Sequence, residues 1–166
     1  MPRSNQSLQA ALQELDVRLQ RMIQAGISST YESAGQLADE GKAEVQRLIR
    51  HKGSYKPYFT KDGKPRMSSM PGEPPATEVG NELDKSIVSV RISRRNENPA
   101  KAAFGSTAGY APFLEFGTTK MEPRPFMRPA RDHVRSIAGG IVANNFYKNM
   151  INKAKKMRRQ NVRLEF

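Results

Sequence analysis

Leucines at positions 8, 12, 15 and 19, followed by Met22, recur at alternating intervals of four and three residues. That spacing lays them along one face of a helix. Ser7 stands just before the first of them and has the side chain of an N-cap. A helical segment is therefore predicted over 7–50. Past Gly26 the stripe weakens, because "GISSTYESAGQ" is small and polar. It resumes at Leu37, Val45, Leu48 and Ile49, so the segment is either one long helix with a soft middle or two helices in line. The heptad does not hold throughout, and the stripe reads as core or bundle packing rather than an extended coiled coil.

Residues 51–80 break the helical pattern. Prolines, glycines and serines dominate there, with Tyr55, Tyr58 and Phe59 among them. "KDGK", Lys61 to Lys64, is a tight-turn signal between extended arms. A long loop carrying a β-hairpin finger is expected, and loops of that length inside a compact domain are commonly functional or disordered. Thr77 is placed to cap a short helix through "EVGNELDKS". In "SIVSVRIS" the residues alternate, with Val88, Val90 and Ile92 on one side and Ser89, Arg91 and Ser93 on the other. That is the pattern of a half-buried strand with its valines inward. "KAAFGS" reads as a second, weaker strand. In "AGYAPFLEFG", Tyr110, Phe113, Leu114 and Gly117 share one face of a short helix.

The final helix is expected over 126–158, followed by a tail at 159–166. Pro129 sits in a first turn, where proline is tolerated. Val134, Ile137, Ile141, Val142, Phe146, Met150 and Ile151 follow at helical spacing. Gly139 and Gly140 mark a kink or a close helix–helix contact. The fold class expected is α+β in a single domain over 1–166: long N- and C-terminal helices on a small antiparallel sheet at 81–125, with an extended arm.

Composition narrows the chemistry. The chain has 166 residues, no cysteine and two histidines, His51 and His133. Disulfides, thiolate metal sites and cysteine nucleophiles are excluded, and no HExxH spacing exists. Phosphate-binding glycine loops are absent, and no acid–base pair is visible around the lone Glu115. We expect no enzyme, no cofactor and no metal. The longest nearly apolar run, Ile137 to Ala143, is too short for a bilayer, which takes about 20 residues, so no membrane partner is expected.

Net charge is +12, from 28 basic and 16 acidic residues. The isoelectric point is near 10.2 and the mean hydropathy −0.70. Lys148, Lys153, Lys155, Lys156, Arg158, Arg159 and Arg163 fall within sixteen positions that hold no acid. They are candidate contacts for DNA phosphates or an acidic protein partner. Few aromatics are interleaved, which favours non-specific electrostatics over base stacking.

Two stretches carry a further pattern. In 69–87, Pro71, Gly72, Pro74 and Pro75 precede Thr77, Gly80, Leu83, Ser86 and Ile87. In 110–130, Tyr110-Ala111 precedes Glu115-Phe116-Gly117-Thr118, then Pro125-Phe126 with Pro129-Ala130. Their order and spacing resemble the neck or tail-completion proteins of long-tailed bacteriophages, the group that includes minor tail protein Z of lambda-like phages. The resemblance covers about 69–142, and Gly80 and Leu83 stand one residue further apart than is commonest there.

That resemblance implies a virion structural protein, assembled in the host cytoplasm and placed in the neck. It would complete the tail and join it to the DNA-filled head. The partners implied are further copies in a hexameric ring, neighbouring head-closure or connector proteins, tail-terminator or tail-tube proteins, and genomic DNA in the channel. Candidate interface residues are Tyr55, Tyr58, Phe59, Lys61, Lys64 and Arg66 on the arm, with Tyr110, Phe113, Glu115, Phe116, Thr118 and Arg128 in the second stretch. Tyr110, Phe113 and Phe116 are expected to anchor their short helix on the sheet. Glu115 is expected to cap a neighbouring helix or pair with an arginine. The alternative is a non-specific nucleic-acid-binding protein acting through its basic C-terminal helix.

Overall fold

The computed structural model describes residues 3–50, 55–59, 61–63, 65–76, 80–94 and 99–162. In order they form α1 (Arg3–Arg50), β1 (Tyr55–Phe59), β2 (Pro65–Ser69), α2 (Glu82–Ser86), β3 (Ile87–Arg91), β4 (Ala102–Ser106), α3 (Ala111–Phe116) and α4 (Met127–Val162). The architecture is α+β and mostly helical, as expected.

The N-terminal segment is one continuous helix. Ser7 lies inside it and is not its cap, since nothing in Arg3–Gln6 opposes helix and α1 starts at Arg3. The small, polar middle is where α4 crosses α1 closely and antiparallel to it. Ser29 and Ser33 are buried there. Asn145 Nδ2 donates to Ser33 Oγ at 3.2 Å and to Gln36 Oε1 at 3.0 Å, and Asn149 Nδ2 donates to Glu32 Oε2 at 2.8 Å. A side chain on Gly26 would lie 3.9 Å from the Phe146 ring. Small side chains let two backbones approach, so the apparent soft spot is a contact surface. Beyond Asn149, α4 runs to Val162 while α1 runs back to Arg3. At equal rise, α1 overhangs α4 by about 16 residues, or ~24 Å.

The core collects one or two residues from almost every other element: Val45 and Ile49 of α1, Leu83 of α2, Ile87 of β3, Ala111 of α3, and Phe126 and Ala130 at the start of α4. The alternation expected of β3 is kept, but its faces are reversed. β3 pairs antiparallel with β4, Ile87 opposite Ser106 and Ser89 opposite Phe104. Ser89 Oγ donates to Asp39 Oδ1 at 2.6 Å, and Arg91 Nη2 to Asp39 Oδ2 at 3.2 Å. Ile87, Ser89 and Arg91 therefore face α1, while Val90 and Ile92 lie 50% and 63% exposed on the other side. The reversal follows from α1, which offers this sheet Gly35, Asp39 and Gly41 rather than a leucine stripe. Against such a helix face, serine and arginine find partners that valine lacks.

Gly41 gives the Phe104 ring its space, because a Cβ there would overlap the ring. Gly139 and Gly140 have open space at the same position and are exposed, so close packing does not call for them. Alanine substitution is thus expected to act with opposite signs. Gly139→Ala gains about 0.5–1 kcal/mol of helix propensity. Gly41→Ala loses about 1 kcal/mol net, because overpacking by roughly 1–3 kcal/mol outweighs the same gain. Urea unfolding midpoints of the two variants check this.

β1 and β2 form the expected hairpin, Tyr55 opposite Ser69 and Phe59 opposite Pro65, with Gly63 at φ 70° in its turn. Thr77 falls outside the described residues. The cap of α2 is Asn81, whose side-chain oxygen accepts from Glu82 N–H. α4 continues four residues past its expected end, to Val162.

Candidate interaction surface

The two proline-rich stretches meet. Gly72 N–H donates to the Pro123 carbonyl at 3.0 Å, with Gly72 at φ 82°. Arg124 N–H donates to the Leu114 carbonyl at 2.7 Å. Leu83 and Ile87 of the first stretch share the core with Ala111, Phe126 and Ala130 of the second.

Each stretch also contributes one buried carboxylate. Glu115, 4% exposed, sits beneath the start of α4. Its Oε2 accepts from Phe126 N–H at 2.8 Å and Met127 N–H at 2.9 Å, and its Oε1 from Arg128 N–H at 3.1 Å. The first amides of a helix have no intrahelical partner, and a carboxylate there also meets the positive end of the helix dipole. The Arg128 guanidinium lies 3.7 Å from Oε1 and rests over the Phe116 ring at 5.2 Å. Both roles expected of Glu115 are thus filled within the subunit. Gly117, at φ 75°, permits the turn that follows, and a Cβ there would stand 2.7 Å from the Met121 carbonyl oxygen. The exposed Thr118 bridges to Met121 across this turn.

Asp84, 3% exposed, accepts from Arg50 Nε at 2.9 Å and Nη2 at 2.7 Å, and from Gly80 N–H at 2.9 Å. The Arg50 guanidinium holds the Asp84 carboxyl below its usual range, against the opposing effect of burial. Both carboxylates are thus engaged in fixing helix ends and loops, and among the described residues neither is hydrogen-bonded to a second acid or a histidine. Among the described residues, no group of three histidines, aspartates or glutamates is placed to hold a metal ion. No described helix is long and apolar enough to cross a membrane.

The aromatic residues of α3 correct the sequence reading. Phe113 and Phe116 are 57% and 66% exposed and Tyr110 is 37% exposed, so they do not anchor α3 on the sheet. Ala111 and Glu115 form its buried side instead. The helix is so short that one turn decides its face, and the cap requires Glu115 to point inward. Partial burial, with the charge of Glu82, raises the Tyr110 hydroxyl pKa. Phe116 borders a groove of about 540 Å³ between β4 and the start of α4, lined also by Phe104, Pro112, Phe126 and Met127 and rimmed by Arg128 and Arg131.

The remaining candidates divide. Tyr55, Tyr58, Phe59 and Arg66 lie on the hairpin strands, whose side chains fall outside the description; Lys61 is exposed at the turn. Lys64 and Arg163 lie outside the described residues. Lys148, Lys155, Lys156, Arg158 and Arg159 are exposed on α4, and Lys153 is half-buried. Sequence reasoning took the leucine stripe of α1 for core or bundle packing; Leu12, Leu15 and Leu19 are 56%, 61% and 58% exposed, so they are no part of the core. Its regular spacing was the available signal.

Comparison of the chain with protein-family models, with curated proteins and with solved structures found no match.

Proposed function

We propose that this chain is a structural component of the head–tail joint of a long-tailed phage particle. It would complete the tail and join it to the filled head as one subunit of a ring around the DNA exit path. The observation that carries the proposal is the closure of 69–87 onto 110–130. Leu83, Ile87, Ala111, Phe126 and Ala130, all among the residues that bear the resemblance, share one core, and one backbone link, Gly72 to Pro123, joins the two stretches. A pattern kept for a single structural unit is a stronger basis for likeness than separate short motifs.

Exposed apolar groups at separate places on the subunit suit assembly rather than catalysis. A cyclic ring takes two different, complementary patches from each copy. The β1–β2 hairpin and the aromatic rim at Phe113 and Phe116 are candidates. Six copies, the neighbouring connector and tail proteins, and DNA in the channel belong to the same proposal.

Silencing this gene alone in a phage that carries it is expected to yield separate DNA-filled heads and finished tails by electron microscopy. Intact, infectious particles would remove the proposal. A second reading draws on α4, where exposed Lys148, Lys155 and Arg159 stand seven and four residues apart, on one helical face. A duplex-binding protein of that kind would show affinity falling steeply with salt, without any assembly defect.

A further inference from the structure

We infer that the N-terminal part of α1, which overhangs α4 by about 16 residues, is a self-association helix that packs in parallel against the same segment of a second copy. The apolar positions there keep the alternation of four and three that defines a coiled-coil seam, with Leu12 and Leu19 at one seam position and Leu15 and Met22 at the other. The seam stops where α4 takes over: its next two positions are Gly26 and Ser29, beside Phe146 and in the α4 contact. Among the described residues nothing covers the seam, whose described members are 41% to 61% exposed, and Ile23 beside it is 54% exposed. A projecting helix with such a seam calls for another helix of matching pattern.

The flanking charges indicate a second copy and its direction. Asp16 and Arg18 border the seam on opposite sides. An antiparallel pairing that stacks Leu15 on Leu19 sets Asp16 beside the second copy's Asp16 and Arg18 beside its Arg18, which is repulsive on both flanks. A parallel, in-register pairing sets Arg18 beside Ile23 and Asp16 beside Ala11. The Arg18 stem can then cover Ile23 while its guanidinium stays on Glu14 of its own chain. A parallel, in-register pair is an isologous contact that closes at two copies, so it joins chains pairwise, apart from the two complementary patches of the proposed ring, and it does not depend on the head–tail assignment.

The absence of cysteine makes the test clean. Leu15→Cys in the full chain is expected to give a disulfide-linked dimer under mild oxidation, since parallel register faces residue 15 with itself. Gln24→Cys, on the opposite side of the helix, is expected to cross-link at least ten-fold more slowly. Light scattering of the unmodified protein, at about 0.15 M salt and at higher salt that screens the basic ends, is expected to give a multiple of 18.6 kDa. Leu15→Asp with Leu19→Asp is expected to return it to one chain without changing helix content. A monomeric unmodified protein, equal cross-linking at both positions, or cross-linking of Leu15→Cys only to a Leu19→Cys chain would overturn the inference. Either result can occur whether or not silencing separates heads from tails.

Discussion

Glu115→Ala is expected to be among the most destabilising single substitutions in this chain, at about 3 kcal/mol. Three backbone amides at the start of α4 lose their acceptor in a buried place, and each buried unpaired donor costs roughly 1–3 kcal/mol before water relieves part of it. For a chain of this size the melting temperature would fall by about 10 °C. Glu115→Gln retains one acceptor oxygen and should lose about half as much. Circular dichroism melts of the two variants measure the difference; a Glu115→Ala protein as stable as the unmodified one would show that α4 does not rely on this cap. The substitution should also disturb any function of the exposed Phe116, because Arg128 stacks on that ring while paired to Glu115.

The second large effect is expected at Arg50. Removing its side chain leaves the carboxylate of Asp84 buried without its counter-ion. Breaking a buried pair in this way costs roughly 3–5 kcal/mol. Arg50 itself is 37% exposed, so solvent screens the pair and Arg50→Ala is expected to cost less than the loss of a fully buried partner would. The pH dependence has a definite sign. The Asp84 carboxyl is held below its ordinary value, so its contribution is complete above the unfolded carboxyl pKa, about 4, and is lost as pH falls through the lower folded value. In Arg50→Ala, burial without the arginine favours protonation instead. The gap between the two proteins should therefore narrow as pH falls from 7 toward about 4. Urea midpoints at the two pH values would show it, and a constant gap would assign the loss to packing alone.

Much of the architecture was legible because it rests on local rules. The 4-3 spacing gave α1, the Asp-Gly pair gave the hairpin turn, and alternation gave β3. Glu115 was legible as a cap or an arginine partner because an acid stood among aromatics ahead of a proline-marked helix start. What failed was the assignment of faces. Alternation divides Val88 and Val90 from Ser89 and Arg91, but which set turns inward depends on what α1 offers opposite, and Gly35, Asp39 and Gly41 favour the polar set. The α3 aromatics failed for the same reason, since Glu115 fixes the rotation of a six-residue helix. The interaction surfaces were legible as patterns only. The leucine stripe was visible, while its lack of a partner within the chain depends on where α4 ends.

α1 joins two places with different work. Its C-terminal half supplies Val45 and Ile49 to the core, and its N-terminal third projects beyond α4. The helix is continuous over 48 residues, about 72 Å at the usual rise. It can therefore behave as a stiff lever: a tilt of about 5° imposed on the projecting end moves the other end by about 6 Å over that length. Strain applied where copies meet would then reach the core of each subunit as displacement, without any change of secondary structure between the two ends.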